Sequence, residues 1–509
     1  MLDKIRAAKQ GSIAVIYQEI EFEEPLTLFR KLSNSGKSRN SFYADFKEEG
    51  KVVMSHSPAL KISGRGEDFE IKYLNNAGRK MANALRGSFK FCAKAVHGKN
   101  AITGKISPLK NTLSQEQRAK ENGHADVIRA VLGKFKISNE EAIKPGIFGF
   151  VSSGFMDYLE QMPKNHQTAI EKDYEFYLAD NFIYVDSNEK KAYAAVAALV
   201  SDNKYERLYS ECMKQIANMQ KQLKKKMPAA KKGKKKPIEV SCDKSKEEFM
   251  KSVNSAKASI AEGRSFGVRL SKLFKSNYNA EPLEIYSSLS QAYDGKSSFY
   301  LNGEDACIAC IAGHPSIRIA AGEMEMEFSS RGPRSSGGSK ISKEIMLRKD
   351  LVSLRRHVLI LDAMHSYSSA VLEKDSKSIS KSFEILHKPS IGYGSAIKGR
   401  LKEGIDMLSV MSTFLGVSAG IPMQEAEKSL RKEEATGRGI FGGIFAFISL
   451  NDFALAHFAE NYVSLKKNSA YFRGFADISP MTDGEKAFEE SEKTGQEILD
   501  TITRAGGSK

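Results

Sequence analysis

The stretch GKVVMSHSPALKISGRGEDFEIKYL, residues 50–74, carries the clearest strand signal in the chain. Apolar residues alternate with other residues in two extended runs, at Val52, Met54, Phe69, Ile71 and Tyr73. Such alternation is typical of strands with one buried face, and the glycines between the two runs favour a turn. We therefore expect residues 1–75 to form a small β-rich region.

Beyond Asn75 the composition favours helices. Residues 75–87 and 115–135 combine helix-forming residues with glycines that end a helix. Residues 189–226, EKKAYAAVAALVSDNKYERLYSECMKQIANMQKQLKKK, predict one long helix that Pro228 ends. No internal repeat of fixed period is found. The fold expected is mainly α with a small β-rich N-terminal region.

A further helix is predicted from the spacing of its apolar residues. At about 100° per residue, five side chains form one stripe: Leu347, Leu351, Leu354, Val358 and Leu361. Lys349 and Arg356 point to the opposite side, and Arg348 and Arg355 flank the stripe. We expect one face of this helix to pack and the other to present positive charge. His365 falls on the stripe, which predicts a buried histidine.

Positive charge is the main bias of the composition. The 509 residues include 78 Lys and Arg against 62 Asp and Glu, a formal net charge of +16. The run QLKKKMPAAKKGKKKP, residues 222–237, is its densest part, with nine lysines and no acid between Lys221 and Lys236. The excess therefore extends beyond this run. A basic excess of this size predicts a polyanionic partner, and nucleic acid is the first candidate.

The sequence predicts a soluble protein that is neither secreted nor embedded in a membrane and has no membrane partner. The longest apolar run is GIFGGIFAFISL, residues 439–450. It is shorter than the roughly 18 residues that a membrane span needs. The five cysteines are odd in number and too sparse for a disulfide framework, which predicts a reducing compartment.

One motif raises the alternative of a serine hydrolase. GVSAG, residues 416–420, matches the G-x-S-x-G pattern, in which Ser418 is the nucleophile on a strand-to-helix turn. The histidine that follows, His457, lies five residues after Asp452, which is cramped for two triad partners from separate strands. The alternating α/β pattern of such hydrolases is also absent. A hydrolase at Ser418 is kept as an alternative function.

Two other motifs lack the context that their chemistry needs. GRGIFG, residues 437–442, fits a dinucleotide-binding loop but follows a charged helix rather than a buried strand. Cys307, Cys310 and His314 have the spacing of metal ligands, but a structural zinc needs a fourth ligand. We therefore expect no metal, no cofactor and small buried cysteines.

Basic clusters recur in several separate parts of the sequence and are interleaved with aromatic residues. This pattern suits a groove that follows a phosphate backbone, with rings available for base stacking, and favours sequence-tolerant binding of a single strand. The candidate RNA-binding residues are Arg79, Lys80, Arg86, Lys225, Lys226, Lys231, Lys232, Lys234, Lys235, Lys236, Arg264, Arg269, Lys272, Arg331, Arg334, Arg348, Lys349, Arg355 and Arg356.

Three segments resemble the nucleoproteins of orthomyxoviruses, most closely those of the fish isavirus branch. FYLNGEDACIAC, residues 299–310, resembles them in its NGEDAC..C core. SISKSFEILHK, residues 378–388, is similar to the strand of the tail loop that influenza-type nucleoproteins insert into a neighbouring subunit, with Phe383 at its buried aromatic position. GRGIF, residues 437–441, is similar to a motif near the C-terminus of that family. The three segments occur in the order of the family.

The resemblance implies a mainly helical, crescent-shaped head and body with an RNA groove between them and an exchanged tail loop. It assigns oligomerisation to Phe383, Ile385, His387 and Lys388, with Glu373 as a candidate acid partner. Together with the residue patterns above, it divides the chain into a β-rich region (1–75), a helical body or head (76–220), a basic flexible linker (221–240), a second helical part (241–376), the tail loop (377–400) and a C-terminal body segment (401–509).

The function implied is that of a viral nucleoprotein, not an enzyme, that coats single-stranded genomic RNA without sequence preference. Its expected partners are single-stranded viral RNA, further copies of itself, the viral RNA polymerase and a nuclear import receptor. Its expected locations are the virion and the host nucleus, and the cytoplasm during assembly. The lysine run then predicts an RNA clamp, an import signal or a linker. Besides the hydrolase, a host-type structural RNA or chromatin-binding protein is the other alternative.

Overall fold

The computed structural model describes residues 1–92, 94–107, 114, 116–117, 123–137, 143–163, 168, 172–225, 237–293, 295–332, 339–387 and 391–506. Among these residues no helix has the length and apolar character needed to cross a membrane.

Helices and strands are interspersed along the whole chain. The helices are α1 (Leu2–Ala7), α2 (Pro25–Leu32), α3 (Asn76–Ala84), α4 (His124–Lys134), α5 (Tyr205–Leu223), α6 (Lys246–Ala261), α7 (Pro282–Ala292), α8 (Lys340–Lys349), α9 (Leu351–Ser368), α10 (Met407–Phe414), α11 (Met423–Glu433) and α12 (Gly484–Ala505). The strands are β1 (Ile13–Ile20), β2 (Ser41–Phe46), β3 (Lys51–Ser55), β4 (Leu60–Arg65), β5 (Asp68–Tyr73), β6 (Lys94–His97), β7 (Ala101–Lys105), β8 (Gly146–Val151), β9 (Tyr174–Leu178), β10 (Asn181–Asp186), β11 (Lys191–Leu199), β12 (Val240–Cys242), β13 (Gly267–Asn277), β14 (Ser297–Asn302), β15 (Cys307–Ala320), β16 (Glu323–Arg331), β17 (Ser378–Leu386), β18 (Gly392–Arg400), β19 (Gly420–Ile421), β20 (Ile444–Ser449), β21 (Phe453–Lys466) and β22 (Ser469–Ile478).

Antiparallel pairing joins these strands into one connected sheet of 22 strands within the described residues. The main path of neighbours is β6-β7-β5-β4-β9-β8-β20-β21-β15-β14-β2-β3-β10-β11-β1. Two branches leave it: β22-β13 at β21, with both β12 and β19 paired to β13, and β16-β18-β17 at β15. The prediction of a mainly α crescent is therefore wrong. The six-segment division of the chain stays a prediction.

An alanine-rich strand explains much of this error. Residues 191–199, which were expected to begin a long helix, form β11 between β1 and β10. Most residues of β11 are buried, so it lacks the alternation that marks a half-exposed strand. Alanine also has the highest helix propensity, which favours the wrong assignment. The helix begins at Tyr205, whereas the strands expected in 50–74 are present as β3 and β5.

The helix expected around the leucine stripe is interrupted at Asp350. The Asp350 carboxylate accepts hydrogen bonds from the backbone N–H groups of Val352 and Ser353, each at 3.3 Å, and starts a new helix there. The apolar side chains before and after this cap therefore do not form one continuous stripe. Leu351 is 72% exposed, and His365 is also exposed rather than buried. The residues of α9 that are buried are Ser353, His357, Leu361, Met364, Tyr367 and Ser368.

The predicted tail loop is a hairpin within its own chain. β17 pairs with β18, which pairs in turn with β16. The ring of Phe383 lies 5.0 Å from that of His357 and 5.9 Å from that of Tyr393, measured between centroids. Ile385 packs in the same small cluster of apolar residues. Because this segment packs inside its own chain, the prediction of an exchanged tail loop is wrong.

Candidate active site

A cavity of about 620 Å³ lies where the sheet branches. The first half of β15 pairs with β14 and its second half with β16, and the change of neighbour occurs across an irregularity between Ala312 and Ser316. β21 likewise pairs first with β20 and then with β22. Neighbouring strands therefore diverge on both sides of this central pair. Residues 311–315 and 458–461, which stand at the divergence, line the cavity.

Several elements close the cavity around this branch point. The start of β13, the ends of β16 and β22, and the first half of α9 contribute to its wall. α9 packs against β16 and β18, and its Arg356 lies 3.6 Å from Asp477 near the end of β22. Many of the lining residues are apolar, among them Val268, Ile311, Phe328, Ile360, Phe441 and Phe458. The site is thus a largely apolar pocket with a confined polar region.

The polar region is a chain of alternating charges. Arg269 donates to Asp477 at 2.7 Å (Nε to Oδ1) and also pairs with Glu460. Arg331 pairs with the other oxygen of Glu460 at 3.2 Å, and Arg356 lies 3.6 Å from Asp477. The side chains of Arg269, Arg331, Glu460 and Asp477 are 18–24% exposed, so a ligand in the cavity can reach them. We call Arg269, Arg331, Arg356, Glu460 and Asp477 the open cluster.

The arginines keep both carboxylates of the open cluster charged. Burial alone would raise the pKa of Asp477, but the positive charges of Arg269 and Arg356 lower it well below its ordinary value. Burial is likewise outweighed at Glu460, whose pKa is lowered by Arg331 and Arg269. The guanidinium groups of Arg269 and Arg331 each lie 4.8 Å from the ring centre of Phe475. This cation–π contact holds their planes in place.

The cavity carries more positive than negative charge. Its lining includes four arginines, namely the three of the open cluster and Arg355, against the two carboxylates of Glu460 and Asp477. Within the part of the chain that the structure describes, Arg355 has no acidic partner, and its side chain is exposed at the cavity mouth. The lining is therefore electrostatically suited to a ligand with two negative charges.

His314 adds a neutral polar group to the wall. It stands in the irregular part of β15, where a bulge can turn a side chain toward a site. Burial, with a further contribution from Lys296, lowers the pKa of His314 to about 4. Its ring is consequently uncharged near neutral pH, and the excess charge of the cavity comes from the arginines.

The donors at this cavity do not suit a metal ion. Among the described residues no group of three or more His, Cys, Asp or Glu side chains is arranged to hold one. Glu460 and Asp477, the carboxylates that line the cavity, are both committed to arginine. The positively charged side chains in the lining of the cavity are those of arginines.

Comparison with known proteins identifies the family. Residues 91–500, more than half of the chain, match the sequence profile described as chorismate binding enzyme. The chain belongs to the chorismate-binding enzyme family. Anthranilate synthase component 1 of Acetivibrio thermocellus is 23% identical over 453 residues, which are 84% of this chain and 90% of that protein. The Escherichia coli protein of the same name is 21% identical over 445 residues, 84% of each chain.

Solved structures show the same fold as this chorismate-binding enzyme family member. Anthranilate synthase component I from Streptococcus pneumoniae superposes with a TM-score of 0.65 at 16% identity and covers 89% of this chain and 92% of its own. The menaquinone-specific isochorismate synthase of Escherichia coli gives a TM-score of 0.64 at 12% identity, with coverages of 97% and 95%.

Membership of the chorismate-binding enzyme family corrects the functional predictions. The resemblance to orthomyxovirus nucleoproteins was misleading, because it used about thirty residues whereas the family match spans 91–500. The predictions of a viral nucleoprotein, of a non-enzyme, of viral RNA and polymerase as partners, and of the virion and host nucleus as locations are wrong. The alternatives of a serine hydrolase and of a host-type RNA or chromatin protein are wrong as well.

The structure also shows how the hydrolase motif is used. Ser418 lies in a short turn, Val417–Ala419, and its hydroxyl donates to the Gly442 carbonyl at 3.4 Å. His457 instead bonds through Nε2 to the hydroxyl of Ser297 at 3.1 Å. The serine and the histidine therefore do not form a nucleophile–base pair.

The structure brings together only a few of the predicted basic residues. Arg269, Arg331, Arg355 and Arg356 line the cavity. Lys272 is buried elsewhere, where it pairs with Glu492 and lies 4.0 Å from the ring of Phe488. The others that are described lie exposed on the surface: Arg79, Lys80, Arg86, Lys225, Arg264, Arg348 and Lys349. Lys226, Lys231, Lys232, Lys234, Lys235, Lys236 and Arg334 lie outside the described residues.

The residues predicted for oligomerisation have partners within the chain. Glu373 pairs with Arg400 at 3.0 Å, and His387 lies 3.1 Å from Glu344. Lys388 is outside the described residues.

Two functional candidates, Glu460 and Asp477, were missed by the sequence analysis. Each is the acid in a largely apolar segment, FALAHFAENYVSL and YFRGFADISP. A charge in a strand of that kind must be paired when it is buried, so these acids were the available signal for an arginine-lined site.

Proposed function

We propose that this chain is a chorismate-utilising enzyme and that the cavity at the branch of the sheet binds chorismate. The observation that carries the proposal is the charge balance of the lining, in which four arginines face two carboxylates. Chorismate is a ring compound with two carboxylates, and its charge equals the excess of the lining. The site lies within the residues that match the family.

The open cluster supports this function because it is already organised before a ligand binds. Glu460 and Asp477 hold Arg269 between them, and Arg331 and Arg356 are fixed at either end. Guanidinium groups fixed in this way lose little freedom when they bind a carboxylate. Planar guanidinium also matches the two oxygens of a carboxylate, which would set the orientation of the ring.

The first test is direct binding of chorismate measured by titration calorimetry. Arg331→Met keeps the length of the side chain and removes the guanidinium, so we expect chorismate to bind at least about 10-fold more weakly. Arg318→Met is the matched control, because Arg318 lies on β15 outside the cavity and pairs with Glu49. Failure of the wild-type protein to bind chorismate, or equal losses in the two variants, would refute the proposal.

Turnover then distinguishes the reactions named for the relatives. The protein is incubated with chorismate, with and without an ammonium salt. Anthranilate contains an amino group and is fluorescent, so its formation only with ammonium would indicate the reaction of anthranilate synthase component 1. A non-fluorescent isomer formed without ammonium would indicate the reaction of the isochorismate synthase. Arg331→Met should slow either reaction.

A further inference from the structure

The mouth of the cavity is surrounded by exposed apolar side chains. Phe266 is 55% exposed, Leu351 72%, Val352 50% and Met481 83%, and all four belong to the lining of the cavity. They come from three separate parts of the chain: the segment before β13, the start of α9 and the loop after β22. We call these four residues the apolar collar.

Exposure of this kind costs free energy unless something covers it. Single exposed apolar residues are ordinary, but four that converge on one opening form a patch of the type that marks a binding site. Two of them, Leu351 and Val352, are exposed because the Asp350 cap restarts the helix at this point. The geometry of the helix start therefore presents them at the mouth.

The cavity is also larger than chorismate requires. Pockets of several hundred Å³ accommodate drug-sized ligands, and this one has a volume of about 620 Å³. Chorismate is a single six-membered ring with a short side chain. With its carboxylates at the open cluster it would fill only part of this space, and the region toward Phe266 and Met481 would remain unfilled.

We propose that this site takes a carboxylate-bearing ring compound extended by an apolar group, with the carboxylates at the open cluster and the apolar group against the collar. This inference rests on the proposed function, since it places the chorismate-type ring in the same cavity. It adds a second subsite that selects for size and apolar character. Arg355, exposed beside Leu351 and Val352, marks the boundary between the two subsites.

The test compares two probes that differ only in an apolar chain. Isophthalate carries two carboxylates on one ring, and its hexyloxy derivative adds a six-carbon chain. We expect the hexyloxy derivative to bind the wild-type protein at least about 10-fold more tightly than isophthalate, because each buried methylene adds to the affinity. Chorismate is titrated in parallel to report on the ring site alone.

Two variants test whether the collar causes the tighter binding of the hexyloxy derivative. Phe266→Ser and Met481→Ser should reduce the ratio between the two probes to about 3 or less, while chorismate affinity stays within about 2-fold of wild type. Val240→Ser is the control, because Val240 is 44% exposed on β12 and does not line the cavity. It should leave the ratio unchanged. Both collar residues are largely exposed, so neither change should prevent folding.

Each other outcome is decisive. If chorismate binds but the hexyloxy probe is no tighter than isophthalate, the inference is wrong and the proposed function stands. The inference is also wrong if the hexyloxy derivative still binds more tightly than isophthalate in both collar variants, because its six-carbon group would then bind elsewhere. If neither chorismate nor the probes bind, the proposed function and this inference fail together. A last measurement is sedimentation of the protein with phosphatidylglycerol vesicles. If the wild-type protein sediments with them, the collar variants do not, and the hexyloxy derivative binds no more tightly than isophthalate, then the collar contacts lipid and the inference is wrong.

Discussion

Two clusters of charge lie beside strands β13 and β22, and one faces the cavity while the other is sealed. The open cluster, around Glu460 and Asp477, is partly exposed. The sealed cluster consists of Glu434, Arg438 and Arg473, whose side chains are 3%, 4% and 0% exposed. Glu434 accepts from Arg438 at 2.9 Å and from the Ser271 hydroxyl at 2.8 Å.

The two clusters differ in whether the N–H groups of their arginines are accessible to a ligand. In the sealed cluster Arg473 donates to the carbonyls of Thr436 and Gly437, each at 2.8 Å, and Arg438 donates to the carbonyl of Arg269. Those donors are used to fix loops. In the open cluster the arginines line a cavity, so they can exchange solvent for a ligand. Similar residues therefore serve stability in one place and recognition in the other.

The strongest test of this comparison removes the charge of the sealed cluster. Glu434→Gln leaves Arg438 and Arg473 buried without a carboxylate, and breaking a buried pair in this way costs about 3–5 kcal/mol of unfolding free energy. Urea unfolding measures the loss. Glu425→Gln is the matched control, because Glu425 pairs with Lys428 at the surface of α11, the helix that ends just before Glu434, and should cost less than about 1 kcal/mol. A Glu434 variant as stable as its control would contradict the distinction.

As the pH is lowered, the stability contributed by histidines near the open cluster should be lost at a higher pH than that contributed by the sealed cluster. Burial is the main cause that lowers the pKa of His314 to about 4 and that of His457 to about 3, from an ordinary value of 6.5. Between pH 6.5 and the pKa of each histidine in the folded protein, the unfolded chain binds a proton that the folded chain does not. The contribution of these histidines to the free energy of unfolding is therefore fully present above about pH 6.5 and falls as the pH decreases. The loss is about 2 kcal/mol per histidine near pH 5.

Urea unfolding near pH 7 and near pH 5 measures this loss, and His457→Gln should reduce it. Glu434 behaves differently. The charges of Arg438 and Arg473 overcome burial and lower its pKa below the ordinary 4.5, so its contribution is lost only as the pH falls through that lower value. Stability that is equal or greater near pH 5 would show that these histidines are not buried as neutral groups.

The smallest expected effect concerns metal ions. Because arginines supply the positive charge of the open cluster and its acids are paired, a chelator should change chorismate affinity by less than about 2-fold. Titration with and without EDTA measures this. A larger loss, reversed by a divalent cation, would mean that Glu460 and Asp477 release their arginines to bind the ion.

The sequence predicted charge better than architecture. Arg269, Arg331, Arg355 and Arg356 were found as basic residues, but their convergence depends on strand pairing that brings β13, β16, β22 and α9 to one place. No local pattern encodes that pairing. Glu460 and Asp477 carry a sequence signal of their own, because a carboxylate in a largely apolar strand must be paired when it is buried.

The architecture was hard to predict for physical reasons that specific segments show. β8 and β11 are buried along most of their length, so their sequences do not alternate. The alanines of β11 then favour a helix by propensity. At Asp350 the helix restarts, and this cap changes which side chains are buried without changing the helical composition. Of the strands in residues 50–74, β5 was predictable because only one of its faces is fully buried. β3 was found from its apolar residues although four of its five residues are buried.

The pairing of β8 with β20 has a consequence during synthesis. Ile147 is opposite Ile448, so one edge of β8 has no neighbour until nearly the whole chain has been made. At roughly 5–20 residues per second, a ribosome needs on the order of 15–60 s to span that interval. An apolar strand would meanwhile be available to other nascent chains, and we expect C-terminally truncated products to aggregate rather than accumulate in folded form.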